Sequence, residues 1–62
     1  MGFFEAITQV RALRAEGIDA RAVECVRWDG KRYCVVFRNA SELEAFREFN
    51  RDWDIKITEL KG

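Results

Sequence analysis

Apolar residues fall at helical spacing near the start of the chain, alternate through its middle, return to helical spacing and alternate again before the end. Phe3, Ala6, Ile7, Val10 and Leu13 form the first stripe, with Arg11, Arg14 and Glu16 off it, which predicts an amphipathic helix. Gly17 is placed to stop that helix as a left-handed cap, with Ile18 beyond it for the accompanying apolar contact. Phe4 lies off the stripe and reads as an exposed terminal residue, the alternative being a contact offered to a partner.

From Arg21 to Arg38 two alternating runs meet at Asp29-Gly30, a pair suited to a two-residue type I′ hairpin turn. With Trp28 opposite Lys31, Cys25 would face Cys34 and Val23 would face Val36. One face would then carry Ala22, Val26, Trp28, Tyr33, Val35 and Phe37, with Glu24 as a misfit. The other would carry Val23, Cys25, Cys34 and Val36 flanked by arginines.

Ser41 and Glu44 form a capping box ahead of Leu43, Phe46, Phe49 and Trp53, a second helical stripe that Asn50 should end. Asp54 to Leu60 alternates strictly and predicts a third strand.

The expected fold is α+β in the order α-β-β-α-β. Its three-stranded, mainly antiparallel sheet has order 2-1-3, preferred to a third strand lying parallel beside the second because the crossover is then right-handed. Both helices are expected on one face, over a core of Phe3, Ile7, Val10, Leu13, Val26, Tyr33, Val35, Phe37, Leu43, Phe46, Phe49 and Ile55. Residues 1–62 read as a single compact domain, without low-complexity runs or repeats.

A domain of about 60 residues buries only about 60% of its unfolded surface, so a lone core is marginal and reinforcement is expected. Formal charge is zero, from 11 basic and 11 acidic residues, but unevenly distributed. Residues 21 to 38 hold five basic and two acidic side chains, whereas 41 to 59 hold six acidic and three basic. Neutrality weighs against a non-specific nucleic-acid binder, which usually needs a basic domain or stripe. No stretch approaches the roughly 20 apolar residues of a membrane-spanning helix, and Met1-Gly-Phe-Phe-Glu lacks a cationic leader, so a cytoplasmic protein that does not enter membranes is expected.

Candidate chemistry is sparse. Histidine is absent, and Cys25 and Cys34 are the only thiols, so no base is available to activate a nucleophile and no cluster to hold a metal. Small buried side chains are the expected role of both, with a cross-strand disulfide as the next reading, although a reducing compartment disfavours it. Glycines 2, 17, 30 and 62 form no phosphate-binding loop. No cofactor is expected and the chain reads as non-enzymatic.

Two binding readings remain. Val23, Cys25, Cys34, Val36 and Leu60 would form an uncovered apolar sheet patch, suited to a homodimer or to another, unidentified protein partner. Arg21, Arg27, Arg32 and Arg38 would share that face and could contact RNA or DNA, but with Tyr33, Phe37 and Trp28 on the opposite side bases could not stack where phosphates bind. The preferred function is therefore a small protein-binding module or regulator, similar in size and layout to many bacterial or phage accessory proteins, an analogy that no motif supports.

Overall fold

The computed structural model describes residues 1–61; Gly62, which ends the expected domain, lies outside them. Helix α1 spans Phe3–Ala15, strands β1 and β2 span Arg21–Arg27 and Arg32–Phe37, helix α2 spans Ala40–Phe49, and strand β3 spans Ile55–Leu60. The sheet order is β2-β1-β3, and β1 pairs antiparallel with both neighbours. Element order and strand order are those expected from the sequence.

Local chemistry explains the boundaries. Gly17, at φ +87°, closes α1. Its N–H donates to the Arg14 carbonyl at 2.9 Å and the Ile18 N–H to the Leu13 carbonyl at 3.1 Å, the paired bonds of a Schellman cap. Ile18 and Leu13 both pack at the edge of the core beneath α1. The cap of α2 sits two residues earlier than expected. Asn39, not Ser41, accepts from the Glu42 N–H at 2.8 Å, and Glu42 accepts in turn from the Arg38 N–H at 3.0 Å. At the far end the Asn50 side chain donates to the Phe46 carbonyl at 2.8 Å, where the expected stop is found.

The hairpin turn differs from the expected one, and the difference propagates. The Gly30 N–H donates to the Arg27 carbonyl at 2.9 Å, and the Arg27 N–H donates to the Lys31 carbonyl at 2.8 Å. Trp28, Asp29 and Gly30 thus form a three-residue loop in which only Gly30, at φ +84°, needs the left-handed region. Asp29 stabilises it by accepting from the Lys31 N–H at 3.1 Å. Relative to a two-residue turn, β2 is displaced by one residue, so Val23 faces Val35, Cys25 faces Tyr33 and Glu24 faces Cys34. A one-residue slip exchanges the faces of a whole strand.

The helices consequently cover opposite faces, which corrects the expectation that both lie on one. Ala6 and Val10 of α1 pack with Ala20, Ala22 and Cys34, edged by Leu13, Ile18, Val36 and Leu60. Leu43 of α2 packs with Val23 and Cys25, edged by Tyr33, Val35, Phe37, Phe46, Ile55 and Ile57. Consecutive β1 residues Ala22 and Val23 are both buried, as covering a strand on both sides requires. The fully buried side chains are small, the largest being Leu43, Val23 and Cys25. Phe3 and Phe49, expected in the core, are 47% and 79% exposed.

Candidate functional site

Of the residues expected to form an open sheet patch, Val23, Cys25 and Cys34 are buried inside the fold, and Val36 and Leu60 are half-buried at its edge. Val23 and Cys25 are fully buried beneath α2, while Cys34, Val36 and Leu60 belong to the α1 side. They do not share a face, and the helices already cover them.

The four arginines do not share a face either. Arg21 and Arg27 alternate with Ala22 and Val26 and so project to the α2 side at opposite ends of β1, whereas Arg32, opposite Val26, projects to the α1 side. Arg21 is held by Asp19 at 3.1 Å and Glu59 at 3.4 Å. Its guanidinium, hydrogen-bonded to Asp19, holds that carboxyl below its ordinary pKa. Arg27 pairs with Asp29 at 3.4 Å, and Arg38 lies beyond the end of β2.

Both thiols lie inside the fold. Burial pushes the Cys25 pKa up, opposed in part by a hydrogen bond with Tyr33. Cys25 and Cys34 are both free and buried. Among the described residues, no three His, Cys, Asp or Glu side chains are grouped as a metal ion would need. No helix among them is long and apolar enough to cross a membrane.

What the corrected register creates is an aromatic cleft at the hairpin end of the α2 face. Tyr33 on β2, Arg27 and Trp28 at the end of β1, Phe49 at the end of α2, and Trp53 and Asp54 in the turn before β3 line a cavity of about 390 Å³. Each is positioned by a feature already described. The three-residue loop places Trp28 at the hairpin tip. Asn50 ends α2 immediately after Phe49, and the Trp53 N–H donates to the Asn50 carbonyl at 3.1 Å, folding the next turn back toward the sheet. Ile55 opposite Arg27 then sets Asp54 one residue beyond the β1–β3 ladder.

Three of these rings stand in solvent: Trp28 is 75% exposed, Phe49 79% and Trp53 64%. In a chain whose described buried side chains are no larger than Leu43, these rings form a cluster of exposed aromatic surface around one cleft. Electrostatically the cleft is balanced. Arg27 supplies a cation tethered to Asp29, and Asp54 a carboxylate with no ion-pair partner among the described residues. Sequence reasoning had assigned Phe49 to the core and Trp53 to its helical stripe. The signal that could have found them is the position of Phe49 and Trp53 on either side of the Asn50 stop, where the helix ends.

A smaller apolar surface lies at the start of α1, where Phe3 and Phe4 meet edge to face with centroids 5.5 Å apart. Phe4 is 84% exposed there. No protein-family model matches this chain, and no curated protein or solved structure matches it significantly.

Proposed function

We propose that this protein is a non-enzymatic, cytoplasmic protein-binding module, a small regulator of the bacterial or phage accessory type, acting by occupying a partner's surface through its aromatic cleft. The observation that carries this reading is the exposure of Trp28, Phe49 and Trp53 around one concavity. Rings of this kind supply large contact area with few rotatable bonds, and Trp and Tyr are the residues most enriched at binding hot spots. A non-enzymatic role is supported by the pairing of sealed thiols with a sequence that contains no histidine.

A second reading rests on Arg27, which now stands beside Trp28 and Tyr33 and so combines a cation with stacking surfaces, as single-stranded nucleic acid requires. Asp54 weighs against it, because a polyanion would meet that carboxylate in the cleft, and the only cleft cation, Arg27, is already paired with Asp29 at 3.4 Å.

Affinity capture from nuclease-treated lysate tests both readings, using the tagged wild type beside Trp28→Ala/Trp53→Ala. A protein retained by the wild type and lost by the variant supports the module. Capture that the variant retains removes the cleft as the site, and association abolished by nuclease moves the function to nucleic acid.

A further inference from the structure

The geometry points to a second copy of this chain as the occupant of the aromatic cleft, in a two-fold dimer in which Arg27 of each copy meets Asp54 of the other. The inference rests on the protein-binding reading and names its partner.

Self-complementarity is the first ground. In a two-fold interface the same patch meets itself, so it must carry its own complement. A patch for a polyanion would be basic and one for a cationic ligand acidic, but this one carries one group of each sign beside the same apolar floor. Asp54 has no ion-pair partner among the described residues, and Arg27, itself 43% exposed, is paired with Asp29 at 3.4 Å, a long contact that a second carboxylate can share. Asp54 can therefore pair across an interface without breaking an internal bond.

Shape and area are the second ground. The patch holds a hole and knobs together: a cavity of about 390 Å³ and, on its rim, Phe49 and Trp28, each more than two-thirds exposed. In a two-fold arrangement a rim ring of each copy enters the cavity of the other, and both holes are filled at once. Aromatic side chains bury about 150–250 Å² apiece, so the exposed parts of Trp28, Phe49 and Trp53 amount to roughly 500 Å². A stable interface takes about 800 Å² per partner, so these rings supply more than half and the polar flank the rest.

The core supplies the third ground. Among the described residues eight apolar ones are buried, three of them alanines and two cysteines. A domain that keeps its small residues inside and its large rings outside gains more from association than one with a conventional core.

Sedimentation of the full chain from about 1 μM to about 500 μM reads the proposal directly, since a micromolar Kd lies within that span. The wild type should pass from monomer to dimer, and Phe49→Ser and Trp53→Ala should each remain monomeric with an unchanged far-ultraviolet circular dichroism spectrum. Arg27→Asp and Asp54→Arg should each weaken dimerisation about tenfold, and the double exchange should restore it. A wild type that stays monomeric throughout overturns the inference, as does a dimer indifferent to both ring substitutions. Failure of the double exchange to restore association overturns the Arg27–Asp54 pairing. A monomeric wild type that still captures a protein through its rings would leave the binding-module reading standing, and one that captures nothing would remove both.

Discussion

Cys25 on β1 lies opposite Tyr33 on β2, while Cys34 lies opposite Glu24 one step away, so the two thiols project to opposite faces of the sheet. Each is buried, Cys25 beneath α2 and Cys34 beneath α1. No disulfide can join them without a register shift that would turn β2 over. A maleimide or aromatic-disulfide reagent should therefore label neither cysteine in the native protein and both after unfolding in urea. Stoichiometric labelling of native protein on the timescale of a free thiol would show that the packing around them is wrong.

The turn that sets this register gives a second prediction. Gly30 sits at φ +84° with no heavy atom within 4 Å of where a Cβ would stand, so only backbone conformation opposes a side chain there. Gly30→Ala should destabilise by about 1–2 kcal/mol, the cost of the left-handed region for an L-residue. Gly30→Asn should cost less, because Asn tolerates that region. Denaturant melts of the three proteins would order them, and an Ala variant as stable as wild type would exclude this loop geometry.

The same loop explains what could and could not be read from the sequence. The elements were legible because the helical period over residues 3–15 and the alternation over residues 54–58 are clear, and strand order followed from the handedness of the crossover. Asp29-Gly30, however, fits both a two-residue turn and the end of a three-residue loop, since each places a residue with positive φ at Gly30. The two readings differ by one residue in the register of β2, and only the shorter turn would bring Val23, Cys25, Cys34 and Val36 to one face. A counter-signal was present. Ala22-Val23 and Cys34-Val35-Val36-Phe37 are apolar in both parities, as strands covered on two sides require. The aromatic cleft was illegible for a different reason: periodicity assigns Phe49 to the stripe of Leu43 and Phe46 but does not reveal that Phe49 is left 79% exposed at the hairpin end of the sheet.

Leu43 tests the α2 side of the core. It is the largest fully buried side chain and packs with Val23 and Cys25, so Leu43→Ala should cost about 2–5 kcal/mol. That is a large share of the roughly 5–15 kcal/mol stability of a typical domain, and the variant should be partly unfolded at 37 °C. Asn39→Ala removes only the cap bond to Glu42 and should cost about 0.5–2 kcal/mol. If the cap substitution proves the more damaging of the two in urea melts, α2 is not seated on the sheet as described.

Stability should decline toward both ends of the pH range, and the alkaline side carries more information. The Asp19 pKa is lowered by its hydrogen bond to Arg21, so the unfolded chain takes up that proton first as pH falls. The associated stabilisation is present above the unfolded value, about 3.9, and is lost as pH drops through the folded one; it is small because the pair is exposed to solvent. Cys25 and Tyr33 behave in the opposite sense. Burial raises the pKa of both, so the folded state keeps its protons while the unfolded chain releases them. Their contribution is complete below the unfolded thiol value, about 8.5, and falls as pH rises toward the folded values. Urea melts of wild type and Cys25→Ala between about pH 7 and pH 10 isolate the thiol, because only the wild type has a buried proton to lose at that position. The alkaline slope should be shallower in the variant, which loses both the thiol's own proton and the part of the Tyr33 shift that Cys25 causes. Equal slopes would mean that the Cys25 thiol titrates alike in the folded and unfolded states, which a fully buried side chain beneath α2 does not permit.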